Sequence, residues 1–252
     1  TLEVQFRMHP QIMAPVNYFY ENRLKCGLKA PYEDRKHGLT LVGNAGKQLL
    51  GKDDHILWVD TTKDQQGRLH HEDKDAQGRA ARTNKLEAQL IAQTLWQIDQ
   101  ASAQAGYSPA KQREVGVVSF YAGQCRVIRE AIRAIAPVGG FKHIQVDVNT
   151  VIRYQGKEKP IILISLTRHD GKPPEAREQV RRRTSTANVA RYEFINVAMS
   201  RAKELLVVFG AKSMLESYSV VLPNMGDSGS SEVMVYREIF DDLKRQGRLV
   251  DA

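Results

Sequence analysis

Along most of the chain, short apolar runs alternate with segments whose apolar residues return every three or four positions. From Thr83 the order is regular. It predicts a helix from Asn84 to about Ala105, a strand at VGVVSF (115–120), a helix over Gln124–Ala136, and strands at HIQVDVNTV (143–151) and IILISLT (161–167). Apolar, β-branched strands alternating with helices imply a parallel sheet covered on both faces, an α/β fold. In RYEFINVAMSRAKELLVVFG (191–210), Leu205–Phe209 reads as a buried strand. The preceding residues read as an amphipathic helix with Phe194, Val197, Ala198 and Arg201 on one face, so an arginine shares the apolar side.

The two ends of the chain are less regular. Met13–Leu24 reads as a first helix rich in aromatics, and SEVMVYREIFDDLKRQG (231–247) as a last amphipathic helix stopping at Gly247. Between them, roughly 29–82 is polar, interrupted only by the strand-like LTLVG (39–43) and HILWVD (55–60), and predicts a β-rich insertion. A mobile part is expected near 61–79, where His70 and His71 read as surface residues and not as metal ligands. There is no internal repeat.

Composition changes one thing. Hydrophobic residues at 42% and charged residues at 26% are ordinary, but a net charge of +8 points to a polyanionic partner, with nucleic acid first. Cys26 and Cys125 fit no metal spacing and read as small buried hydrophobes, which suits a reducing, cytoplasmic setting. No apolar run approaches the ~20 residues of a membrane span. The chain carries no G-x-x-x-x-G-K-[ST] and no G-x-G-x-x-G, so it has no phosphate cradle of its own. Taken alone it is expected to be inactive as a nucleotide hydrolase, and its start reads as a cut through a longer protein.

Three separated blocks carry a resemblance. LEVQFRMHPQIMAPVNYFYENRL (2–24) resembles the segment opening the second RecA-like domain of superfamily 1 helicases. VNTVIRYQGKEKPIILISLTR (148–168) resembles their motif V, and FINVAMSRAKELLVVFG (194–210) their motif VI. Between them, RTNKLEAQLIAQTL (82–95) and VGVVSFYAGQCRVI (115–128) resemble the family's N-x-x-E-A helix and the strand leading into its backbone-contacting turn. Order and spacing fit the branch of the nonsense-mediated-decay helicase. The resemblance implies one C-terminal RecA-like domain over 1–252, with the insertion at about 29–82 and a helical extension at about 211–252.

The resemblance also implies roles. ATP and Mg²⁺ would be held mainly by an N-terminal RecA-like domain absent from this sequence. Arg201 and Arg7 would reach across to the γ-phosphate as catalytic arginines, which suits a fixed guanidinium fork. The alternatives are a local pair of Arg201 with Glu193 or Glu204 and a salt bridge from Arg7 that anchors the first turn, while His9 and Pro10 shape that turn. Gln155, Gly156 and Glu158 would bind the nucleotide: Gly156 by a tight turn, Glu158 at a ribose hydroxyl, Gln155 between nucleotide and strand. Thr150, Ser119, Tyr121 and Arg153 would contact single-stranded DNA or RNA, with Gln124 in the same turn. Tyr121 stacks on a base or fills the core; both stay open. Arg181–Arg183 is a solvated loop or a phosphate contact. Asn196 and Ser200 would position Arg201 or relay the nucleotide state to the strand track.

Two departures from the family pattern stand out. Ile152 sits where an acidic residue is usual, and Phe120 where a proline is usual. The reading is the C-terminal motor domain of an ATP-dependent helicase. Its rival is a non-catalytic nucleic-acid-binding or regulatory module with a degenerate helicase fold.

Overall fold

The computed structural model describes residues 3–43, 46–74, 82–173, 183–184, 188–224 and 228–252. Its centre is a six-stranded sheet built from β1 (Ile56–Asp60), β2 (Arg113–Ser119), β3 (Ile144–Thr150), β4 (Lys159–Ser165), β5 (Ala202–Gly210) and β6 (Leu249–Asp251). The spatial order is β6-β1-β5-β4-β2-β3, and every neighbouring pair is parallel. This is the α/β architecture the alternation implies.

Alternate side chains of each strand enter different cores, as a period of two requires. Trp58, Val118, Ile162, Ile164, Leu206 and Val208 face one side. There they pack against α1 (Pro10–Asn17), α4 (Tyr192–Met199) and α5 (Val235–Arg245). Val115, Val117, Leu163, Leu205 and Val207 face the other, under α2 (Lys85–Gln104) and α3 (Ala122–Ile135). Each face is closed by helices, so the central strands are apolar without interruption.

Four expectations change. HILWVD is a central strand and not part of an insertion: β1 lies between β5 and β6, bonded to both. The tail likewise adds more than a helix, because β6 follows α5 and forms the sheet edge beside β1. The first helix is shorter than expected. It ends at Asn17, passes into a 3₁₀ turn over Tyr18–Tyr20, and stops at Glu21 and Asn22, both with positive φ. The helix before β5 ends at Met199, so Arg201 lies beyond it, one residue ahead of the strand.

Residues 75–81 and the basic side chains of Arg181–Arg183 lie outside the described residues, as far as structure is concerned. Within 61–74, Asp64 gathers the backbone N–H groups of Gln66 and Arg68 and the ring of His70. No group of three or more potential metal ligands occurs among the described residues. None of their helices is long and apolar enough to cross a membrane. Cys125 is buried, whereas Cys26 is only partly so.

Candidate nucleotide and strand edges

In a parallel sheet all strands start at one edge and finish at the other, and the candidate residues divide between these edges. At the starting edge, Glu158 precedes β4 and Arg201 precedes β5. Arg7 arrives from the turn before α1. His9 caps that helix, accepting from the N–H of Gln11 at 3.2 Å, and Pro10 holds the first helical position. The backbone N–H of His9 also bonds the carbonyl of Lys203 at 2.9 Å, which ties the Arg7 turn to the start of β5.

The structure brings Arg7, Glu158 and Arg201 together, although they are distant in sequence. Arg7 Nε donates to Glu158 Oε2 at 2.5 Å, and Arg7 Nη1 to the carbonyl of Ser200 at 3.1 Å. Lys203, which no sequence argument singled out, pairs with the other carboxylate oxygen, Oε1, at 2.6 Å. These side chains are about a third exposed (37%, 39% and 34% for Arg7, Glu158 and Lys203), so solvent screens the pairs and their worth to stability is small. The Lys203 ammonium first, and the Arg7 guanidinium with it, hold the Glu158 carboxyl below its usual range.

Arg201 is half-buried. Its Nε donates to the carbonyl of Val197 at 3.1 Å, so the guanidinium closes the C-terminal turn of α4, where a cation is favoured. Among the described residues it pairs with neither Glu193, which is beside Arg191, nor Glu204. Burial, and then the neighbouring Arg7, press its pKa down. The Arg7 and Arg201 guanidinium groups thus lie near one another with the Glu158 carboxylate close to both, a balance of charge that favours an anion over a metal ion. Ser200 supplies its carbonyl to Arg7, and Asn196 donates to the Tyr20 hydroxyl at 3.1 Å from the same helix.

The finishing edge is built differently. Thr150, the last residue of β3, is paired in register with Ser119, the last of β2, which in turn aligns with Ser165 of β4. Ser119 is fully buried, its hydroxyl donating to the carbonyl of Ser165 at 3.1 Å. Gln124 is also fully buried, bonded to the backbone of Asn84. Tyr121 packs in the core, 8% exposed. Strand parity and the α3 N-terminus turn these three inward. Thr150 keeps partial exposure, and Arg153 and Ile152 face solvent, Ile152 at 62%.

Buried beneath this edge is Glu87 of α2, the acidic residue of N-x-x-E-A. Its carboxylate accepts from the Ser165 hydroxyl at 2.5 Å and the Thr167 N–H at 2.8 Å. Burial raises its pKa to about 7. The bond to Thr167 holds that residue at φ 70°, a conformation β-branched side chains rarely adopt.

One segment joins the edges. After Thr150 the chain makes a 3₁₀ turn over Ile152–Tyr154, reverses at Gly156 (φ 80°) and reaches Glu158. Tyr154 is fully buried against mid-strand Gly116, where an added Cβ would stand 2.1 Å from its hydroxyl. Gln155 and Gly156 are exposed beside Glu158.

Comparison with known proteins gives a consistent picture. A family profile described as "AAA domain" matches residues 1–213. The chain is 26% identical to the DNA replication ATP-dependent helicase/nuclease dna2 of Schizosaccharomyces pombe, over 88% of this chain and 14% of that protein. It is 29% identical to DNA2 of the same description from Mus musculus, over 86% of this chain and 19% of that protein. A DNA polymerase alpha-associated DNA helicase A from Schizosaccharomyces pombe is 27% identical, over 83% of this chain and 27% of its own length. The chain thus spans a minor share of each of these relatives.

Proposed function

The chain belongs to the AAA domain family as the second RecA-like domain of a superfamily 1 helicase, and on that premise we propose that it is the C-terminal half of an ATP-driven motor on single-stranded nucleic acid. The observation carrying this reading is the convergence of Arg7, Arg201 and Lys203 around Glu158 at the starting edge of the sheet. Cations at such an edge suit the polyphosphate of a nucleotide held by a facing domain, and ATP fits the relatives' descriptions. Magnesium would neutralise phosphate charge there, held by carboxylates of that other domain. Arg201 and Arg7 would stabilise charge on the transferred phosphoryl group, Arg201 fixed by Val197 and Arg7 by its turn. Glu158 would exchange its cations for a ribose hydroxyl as Arg7 moves to phosphate, with Gln155 and Gly156 lining the same loop.

Thr150 and Arg153 would contact the strand at the finishing edge, while Ser119 and Tyr121 shape that edge from within. DNA is the favoured strand, given the relatives named as DNA helicases. Residues 1–252 would act as one motor domain. The test is ATP hydrolysis by the full-length parent with and without single-stranded DNA or RNA. Turnover stimulated by one strand type supports the motor and names its track. Strand binding without turnover would overturn it in favour of a binding module.

A further inference from the structure

The polar segment before β1 had no functional reading, yet it supports the turn that carries Arg7. Arg35 Nε donates to the carbonyl of Arg7 at 2.7 Å, and its Nη2 to the carbonyl of Phe6 at 2.9 Å. One planar guanidinium therefore spans two consecutive carbonyls of the turn. From the other side, the Gln5 side chain accepts the N–H groups of Arg7 and Met8 at 2.8 and 2.7 Å and donates to the Met8 carbonyl at 2.9 Å. The backbone at Arg7 is thus held on both its N–H and its C=O.

Arg35 is itself held. It closes a one-turn helix, Pro31–Asp34, and its Nη1 bonds the carbonyl of Asp34 at 3.0 Å. On either side the chain is anchored to a stack of buried imidazoles. Tyr32 meets the His9 ring edge-on at 4.7 Å, His9 stacks on His55 at 3.4 Å, and His37 meets His55 edge-on at 4.9 Å. Burial and mutual proximity keep His9 and His37 neutral, at about 3 and about 4. An uncharged stack can pack this closely, so the platform under the turn is firm across neutral pH.

Resting on the motor reading, we propose that Arg35 is a positioning residue for Arg7, fixing the turn so that the Arg7 guanidinium meets the phosphates of the nucleotide in a reactive geometry. A fork is required because a lysine ammonium offers a point charge and cannot span two carbonyls in a fixed plane. Misplacing a reacting group by about 1 Å costs on the order of 10²-fold in rate.

The test uses the full-length parent and the variants Arg35→Ala, Arg35→Lys, Arg7→Ala and Arg7→Ala with Arg35→Ala. Strand-stimulated kcat is expected to fall roughly 10- to 100-fold in Arg35→Ala, with KM for ATP nearly unchanged. Arg35→Lys should not rescue it. The double variant should be no slower than Arg7→Ala, because both changes remove one contribution. Additive losses, or full activity of Arg35→Lys, would overturn the proposal. Amide hydrogen exchange over Gln5–His9 is read in parallel and does not depend on turnover. It should rise in Arg35→Ala and stay protected elsewhere; unchanged exchange would overturn the proposal even in a parent without turnover. An unaltered parent that fails to turn over, with exchange raised in Arg35→Ala, would sink the motor reading and leave the clamp standing. Should Arg35→Ala lose cooperative unfolding, Arg35→Lys carries both arms.

Discussion

Both edges of the sheet carry polar side chains and use them in opposite ways. At the starting edge Arg7, Glu158 and Lys203 are partly exposed and paired in the open, so exchanging one partner would cost little. At the finishing edge Ser119, Gln124, Ser165 and Glu87 are buried and bonded to one another or to backbone, and are not available to a ligand. The first edge is charged and open to solvent. The second is a scaffold that fixes a loop, leaving Thr150 and Arg153 outside it. Strand β4 measures the separation: its seven residues at about 3.3 Å each put the edges roughly 20 Å apart.

The largest expected effect would break this division if it failed. In the full-length parent, Arg201→Ala should lower strand-stimulated turnover on the order of 10³-fold or more, with strand affinity kept. Arg153→Ala should do the reverse, weakening strand binding and reducing its salt slope by about one, with turnover kept at saturating strand. Steady-state kinetics beside strand titrations at several salt concentrations read both. A change of strand affinity in Arg201→Ala, or lost turnover at saturating strand in Arg153→Ala, would mean the edges do not act separately.

A second measurement sharpens the scaffold side. Glu87 has a pKa near 4.5 when unfolded and about 7 when folded, because burial disfavours its anion. Between these values the unfolded state has lost a proton that the folded state keeps, so stability falls as pH rises from about 4.5 to about 7. The group contributes roughly 3 kcal/mol over that window. Denaturant unfolding of Glu87→Gln across it should show a flatter pH dependence than the unaltered chain. An equal slope would show that Glu87 ionises normally.

The smallest effect concerns the segment joining the edges. Gly116→Ala would drive a methyl into the Tyr154 hydroxyl and the Ile162 side chain, at 2.1 and 2.6 Å. Overpacking of this kind costs about 1–3 kcal/mol, and the midpoint of thermal unfolding should drop accordingly. An unchanged midpoint would mean that the Tyr154 segment is loosely seated on the sheet.

Much of the fold was legible because parallel strands buried on both faces carry continuous apolar runs, as IILIS and LLVVF do. Partnership was harder to read. HILWVD was visible as a strand, but a parallel neighbour can lie anywhere along the chain, and β1 sits between β5 and β6, which come long after it. Strand β6 is only three residues long and leaves no periodic trace. Arg7, Glu158 and Arg201 were singled out from motifs, and folding brings them together. Arg35 and Lys203 belong to no motif and come beside Arg7 and Glu158 only by folding. Ser119 was expected to face the strand and Tyr121 to face either the strand or the core; a residue at a strand end can turn either way, and here both turn in.

The late pairing of β6 also bears on where the protein can be cut. The family match ends at residue 213, ahead of α5 and β6. Within the intact chain, Trp58 is covered by Phe240 at 4.7 Å, and its backbone N–H is bonded by Arg248 at 2.8 Å. A fragment trimmed at the homology boundary would leave Ile56–Val59 as a bare, apolar edge strand with unpaired backbone groups. Such an edge is a template for a second chain, so the trimmed fragment would lose solubility through strand-to-strand association while every motif residue stayed in place.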